Sequence, residues 1–214
     1  MAKRQSVSTA APLVPPSPTL AALREAAAKC QACPLYAKAT QTVFGDGEAG
    51  ASLMFVGEQP SDKEDLSGKP FVGPSGKLLD QGLAKAGIDR KAAYVTNVVK
   101  HFKFAANGKR RIHAKPNSRE IAACRPWLDA EIAVVRPKVL VCLGATAAMA
   151  LLGKDFRVTE RRGQMIDSAL AAHVVATVHP SSILRAPDPA SRQSELERFF
   201  ADLALIGRVL RSEA

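Results

Sequence analysis

The sequence predicts a single α/β domain on a central, mostly parallel sheet, with helices flanking both faces. Three observations carry that expectation. Short, almost wholly apolar runs (Leu53–Val56, Ala93–Thr96, Lys138–Leu143, Val174–Thr177) alternate with stretches of helical pattern. Each run ends on Gly, Asn or a His-Pro step, where a strand would hand over to a loop. The chain's 214 residues suffice for one domain with a full core.

Taken in order, Met1–Pro18 is rich in Ala, Ser and Pro and reads as a disordered tail, leaving 19–214 as the folded domain. Thr19 is placed to cap a helix through Leu20, Leu23 and Ala27, which ends at Cys30-Gln31-Ala32-Cys33-Pro34. Leu53–Val56 is read as a buried strand. It breaks at Gly57 and presents Glu58 and Gln59, and a loop follows with Asp62, Glu64, Asp65 and a lone Phe71. Gly76–Ala86 is a helix, and Ala93–Thr96 a strand with Asn97 at its end. Lys100–Lys115 is a basic loop turning at Asn107-Gly108. A helix runs from Asn117 or Ser118 to about Val135, with Pro126 expected to kink or restart it. Lys138–Leu143 is a very apolar strand that turns at Gly144-Ala145-Thr146 into the helix Ala147–Leu152. Gly153–Arg162 is a basic connection, Met165-Ile166 and Val174–Thr177 are short strands, and a helix from about Ala190 to Leu210 closes the chain.

In a doubly wound sheet, ligands sit at the carboxyl ends of strands. Glu58, Asn97 and His179 all fall there, so one crevice is expected to collect them. An Asn amide offers a donor and an acceptor and can read the edge of a base, although Asn is also a common strand-ending residue. Neither G-x-x-x-x-G-K-[ST] nor G-x-G-x-x-G occurs, which argues against a nucleotide cofactor.

Thirty basic residues against twenty acidic give a net charge of +10, which favours a polyanionic partner, nucleic acid first. The Lys100–Lys115 run holds six Lys or Arg and no acid, with Phe102 and Phe104 interleaved and His101 and His113 inside it. That mixture suits a phosphate backbone and an unstacked base. No secretory segment and no apolar run long enough to span a membrane is visible, so a cytoplasmic protein is expected, and nothing suggests an oligomer. A Cys-x-x-Cys pair supplies two close thiolates for zinc or an iron–sulfur cluster; a redox pair or two buried thiols are the alternatives. Cys142, inside a strand, reads as a buried, inert thiol.

Several motifs in order resemble the iron–sulfur uracil-DNA glycosylases, often called family 4. They are G-E-Q-P at Gly57–Pro60, P-F-V-G-P-S-G at Pro70–Gly76, T-N-V-V-K at Thr96–Lys100, A-C-R-P-W at Ala123–Trp127 and V-H-P-S-S at Val178–Ser182. Two departures, Gln59 in the first motif and the loop Gly108–His113, resemble the UdgX type within that group. Such enzymes excise uracil and stay covalently attached to DNA through the loop histidine, here His113. By this resemblance Phe71 stacks on the flipped uracil, Asn97 reads its edge, Gln59 contacts it, and His179 donates to its O2. Glu58 orients His113, and Arg111 anchors the loop to Asp62 or Asp65. A [4Fe–4S] cluster would be held by Cys30, Cys33, His101 and Cys124, with His101 where family 4 carries its third cysteine. The implied partner is uracil-containing DNA, with single strands preferred. Two alternatives stay open: a multiple-turnover glycosylase in which His113 only contacts DNA, and a non-enzymatic, metal-stabilised nucleic-acid-binding module.

Overall fold

The computed structural model describes residues 9–108 and 110–212. Its centre is a five-stranded sheet in the order β2-β1-β5-β7-β6: β1 Leu53–Gly57, β2 Ala93–Asn97, β5 Val139–Leu143, β7 His173–Thr177 and β6 Met165–Ile166. All pairings are parallel except that of β6 with β7, so the expected α/β class holds. Because side chains alternate across a strand, every buried strand supplies both faces. Met54, Val56, Tyr94, Leu140 and Ala176 point to one face, against α1 (Leu20–Ala27) and α4 (Ser118–Val135) through Leu23, Trp127 and Leu128. Leu53, Phe55, Val95, Val141 and Val175 point to the other, against α3 (Pro74–Lys85) and α8 (Pro189–Ser212) through Leu79, Leu83, Phe199 and Leu203.

Several local expectations change. The acidic loop after β1 contains a helix, α2 (Asp62–Ser67), started by a capping box in which Ser61 and Glu64 satisfy each other's backbone. The basic loop is an antiparallel hairpin, β3 (Phe104–Asn107) with β4 (Arg110–His113), in the register Phe104↔His113. α4 continues through Pro126 as one element, capped by an Asn117–Glu120 box. α5 (Ala145–Leu152) follows β5, and a short α6 (Val158–Arg161) lies in the Gly153–Arg162 connection. α7 (Pro180–Leu184) begins directly after His179.

Part of the segment read as a disordered tail lies outside the described residues. From Ala10 the reading needs correction: Ala10 is fully buried, its N–H donates to the Ala123 carbonyl at 2.9 Å, and Ala11–Leu13 make one helical turn. No described helix is long and apolar enough to cross a membrane.

Candidate active site

The register Gly57↔Asn97 and Leu143↔Thr177 aligns the carboxyl ends of β1, β2, β5 and β7. A cleft of about 570 Å³ opens there, lined among others by Glu58, Phe71, Asn97, His113, Thr146 and His179. The strand-end crevice therefore forms as the alternation of elements implies.

Asn97 is 2% exposed, and among the described residues its Nδ2 has no hydrogen-bond partner. A buried donor left unpaired costs about 1–3 kcal/mol, so this amide is held ready for an acceptor brought by a ligand. Phe71 stands beside it with φ +57°, a left-handed conformation that a bulky residue seldom adopts. Two glycines make room. A Cβ on Gly76 would fall 1.6 Å from the Phe71 carbonyl oxygen, and one on Gly57 would fall 2.4 Å from Asn97 Oδ1 and 2.9 Å from Phe71 Cζ. The buried Glu64 carboxylate also draws the Phe71 N–H, while holding the Ser61 N–H at 2.7 Å. The flat ring and the amide thus face one slot, fixed by Gly57, Gly76 and the Glu64 carboxylate.

Glu58 sits between two partners. Its Oε1 lies 3.3 Å from His113 Nε2, and Thr146 Oγ1 donates to Oε2. Burial raises its pKa, but the hydrogen bonds from His113 and Thr146 and the charges of His113 and Lys115 outweigh it. The net pKa is below the ordinary glutamate value. The His113 side chain is half exposed at the cleft mouth.

His179 forms the opposite wall, its ring centroid 6.1 Å from that of Phe71. Burial pushes its pKa down to about 4, with Arg185 and His113 adding to the effect and Glu58 opposing it. The ring is therefore neutral near pH 7. Its Nδ1 accepts the Ser181 N–H at 3.1 Å, so the single ring proton resides on Nε2. His179 is a neutral donor in a fixed tautomer.

The hairpin carrying His113 is fastened at both ends. Gln59 Nε2 donates to the carbonyls of Lys103 and Ala114, each at 3.1 Å, and Gln59 Oε1 accepts the Lys103 N–H at 3.0 Å. Gln59, expected near the base, does border the cleft, and its side-chain amide clasps the two ends of the hairpin. Arg111 Nε lies 2.5 Å from Asp62 Oδ1, and Nη1 lies 2.6 Å from the fully buried Asp65 Oδ2 and 3.1 Å from Thr40 Oγ1. Its guanidinium also lies over the rings of Phe102 and Phe104, at 5.5 and 5.2 Å from their centroids. Arg111, Asp62 and Asp65 thus meet, with both acids engaged rather than one.

Cys30, Cys33, Cys124 and His101 are all buried on the α1–α4 side. Each thiol sulfur has an N–H directed at it: Trp127 Nε1 to Cys30 at 3.3 Å, Lys100 N to Cys124 at 3.3 Å, and the Leu35 backbone to Cys33. Burial pushes Cys124 up to about 12 against the charge and backbone N–H of Lys100, with smaller upward contributions from Cys33 and Cys30. Three sulfurs close enough to repel as anions fit a cationic iron centre, and hydrogen bonds to sulfur are the usual surroundings of cluster ligands. Thr42 gives its one hydroxyl proton to the Ala27 carbonyl at 2.9 Å, so at 2.9 Å from His101 Nε2 it accepts. His101 is thereby fixed with a lone pair on Nδ1, as an imidazole ligand requires. Among the described residues no three His, Cys, Asp or Glu converge as the ligands of one ion would. Thiolate and imidazole are accepted by iron–sulfur iron and by zinc alike, so the ligand types fit a cluster and a Cys3His zinc site equally. Cys142 is raised to about 12 by burial alone and stays a core thiol.

Thr146 and Glu64 are the site residues that sequence reasoning missed. Thr146 follows β5 as Asn97 ends β2, so its strand-end position was the available signal. Glu64 stands three residues after Ser61, the spacing of a capping box.

The model of the uracil DNA glycosylase superfamily matches residues 44–204. The chain is 40% identical to the type-4 uracil-DNA glycosylase of Thermotoga maritima, over 79% of this chain and 83% of that protein. It is 32% identical to the type-4 uracil-DNA glycosylase of Pyrobaculum aerophilum, over 83% and 91%, and 34% identical to that of Sulfurisphaera tokodaii, over 79% and 78%. With all the cleft residues inside the matched span, this chain belongs to the uracil DNA glycosylase superfamily.

Proposed function

We propose that this protein excises uracil from DNA and that His113 then bonds to C1′ of the abasic sugar, so that each molecule acts once. The observation that carries this reading is the His113 imidazole, held 3.3 Å from the Glu58 carboxylate on a hairpin clasped over the cleft. The type-4 relatives support the first half, and the hairpin supports the second.

A base cannot be reached inside a stack, so the nucleotide enters flipped or single-stranded. Phe71 stacks on uracil, and the Asn97 Nδ2 donor pairs with its O4. Cytosine presents a donor there instead and leaves the amide unpaired. The C1′–N1 bond breaks with both electrons going to the base, and charge gathers on uracil O2. The Nε2–H of neutral His179 meets that oxygen; such a fixed donor is worth about 3 kcal/mol in the transition state. The sugar becomes cationic at C1′, and the leaving uracil anion takes its proton from solvent. The lone pair of a neutral His113 ring nitrogen then forms the C1′–N bond. The resulting imidazolium is balanced by Glu58, and no water is consumed. In a hydrolase, water oriented by Glu58 would take the place of His113. Cys30, Cys33, His101 and Cys124 would hold a [4Fe–4S] cluster, which ties the N-terminal segment to the sheet and takes no part in the reaction.

Incubation with a uracil-containing oligonucleotide, single- or double-stranded, followed by a denaturing gel tests the reading. A heat- and detergent-resistant shifted band, stoichiometric with protein, is expected. His113→Ser should lose that band while still releasing uracil. Abasic product in excess of enzyme with no shifted band leaves ordinary hydrolysis, and no uracil release at any protein concentration leaves a binding module.

A further inference from the structure

On the sheet face opposite the Asn97 amide lies a buried ion pair that the reaction above does not use. The side chains of Lys100 and Glu131 are 1% and 0% exposed. The ammonium has three protons and three acceptors: Glu131 Oε2, Thr96 Oγ1 at 2.6 Å, and the carbonyl of Asn97 at 2.7 Å. Glu131 Oε1 accepts in turn from Tyr94 Oη at 2.8 Å, Thr96 Oγ1 at 2.9 Å and the Gly45 N–H at 3.2 Å. Every proton and acceptor in the group is used.

Stability alone does not account for such a pair, because apolar residues of similar volume in its place are often neutral or stabilising. What it holds is more telling. β2 is an edge strand, and Asn97 is its last residue. The inner side is tied to β1 and its continuation by Val98 N–H to the Gly57 carbonyl at 2.9 Å and Val99 N–H to the Glu58 carbonyl at 3.0 Å. The ammonium grips the Asn97 carbonyl from beneath and takes the hydroxyl of its neighbour Thr96. The Lys100 backbone N–H also reaches Cys124 Sγ, so α4 and the strand end are braced through one residue.

We propose that the Lys100–Glu131 pair is a positioning element for base recognition. It fixes the backbone of Asn97 so that the unpaired Nδ2 is presented to the base at one height and angle. The pair touches neither substrate nor reacting atoms. The proposal rests on the uracil-excision reading of the cleft.

The test is the double substitution Lys100→Met with Glu131→Leu, which removes both charges, keeps apolar bulk and retains the backbone N–H to Cys124. Three quantities are read: the melting temperature, the affinity for a single-stranded oligonucleotide with thymine in place of uracil, and the single-turnover rate of uracil release at saturating protein. The thymine-oligonucleotide affinity should hold at the parent value, while the melting temperature should fall, because Tyr94, Thr96 and the Gly45 N–H lose their buried acceptor. Uracil release should fall about tenfold or more, the penalty of a misplaced contact. A folded double variant that releases uracil at the parent rate overturns the positioning role alone. A parent that releases none overturns the excision reading, and this proposal with it. Should the double variant fail to fold, Thr96→Val decides. It removes the shared hydroxyl at constant shape, and a parental rate in that folded variant overturns the proposal.

Discussion

At the scale of single residues, the cleft separates two histidines by their surroundings. His179 is partly buried in the cleft wall, neutral down to about pH 4, and locked by Ser181 into one tautomer. His113 is half exposed on a hairpin beside a carboxylate. On the proposed reading, that difference suits His179 to a fixed donor and His113 to attack on the sugar. Glu58 is tuned by the second: burial alone raises its pKa, and the hydrogen bonds of His113 and Thr146 bring it below the ordinary value. In His113→Ser the largest lowering contact is gone and burial remains, so the Glu58 pKa should rise. A carboxylate that must be ionised then fails earlier as pH falls. The acid limb of single-turnover uracil release should therefore move to higher pH than in the parent. His179 cannot mimic this shift, since it stays neutral until about pH 4. Superimposable acid limbs for parent and variant would mean that Glu58 is not the titrating group. Much of this was legible in the sequence, because Glu58, Asn97 and His179 each follow an apolar run. Thr146 was not, because Gly144-Ala145-Thr146 reads equally well as a plain turn and only the folded register turns its hydroxyl toward Glu58.

At the scale of elements, the strands were readable because burial on both faces leaves near-continuous apolar runs. Elements fixed by side-chain capping were less so. α2 has little apolar pattern, its signal being the Ser61–Glu64 spacing alone, and α4 passes Pro126 because its buried face, with Cys124, Trp127 and Leu128, outweighs one missing N–H. The hairpin was the hardest, since both its strands are largely exposed and carry no burial pattern. It is shaped instead by contacts distant in sequence: Arg111 on Asp62 and Asp65, and Gln59 on Lys103 and Ala114. Gln59 was expected at the base, and its service to the hairpin follows only once β1 and the hairpin are seen together. Gln59→Ala removes three hydrogen bonds, a loss of about 2 kcal/mol spread over the hairpin's two ends. The cleft floor, made by Phe71, Asn97 and His179, is left intact. Uracil release should stay within a few-fold of the parent, while the band on the denaturing gel forms about tenfold more slowly. Equal slowing of both steps would place Gln59 at the base after all.

At the scale of the whole molecule, the four proposed cluster ligands come from regions that the sheet does not join. Cys30 and Cys33 follow α1, His101 precedes the hairpin, and Cys124 sits on α4. The segment between Cys33 and β1 has little regular structure, a single helical turn at Pro34–Ala37 and one bridge of Asp46 to Val95. Yet it supplies Thr40 to Arg111 and Thr42 to His101. A group bonded to all four side chains would therefore close a long loop and hold the hairpin's anchor in place. By the entropy of such a cross-link its loss costs about 3–5 kcal/mol. Cys33→Ser should accordingly strip the broad absorption near about 400 nm expected of an iron–sulfur cluster. The melting temperature should drop and the adduct yield should fall with it. Cys142→Ala, a core change away from the set, should keep the colour and cost only its packing. Zinc without iron in the purified parent would sink the cluster assignment, since both metals accept thiolate and imidazole and only the metal content separates them. A coloured Cys33→Ser variant would instead exclude Cys33 from the ligand set, leaving the thiol with the Leu35 N–H as its partner.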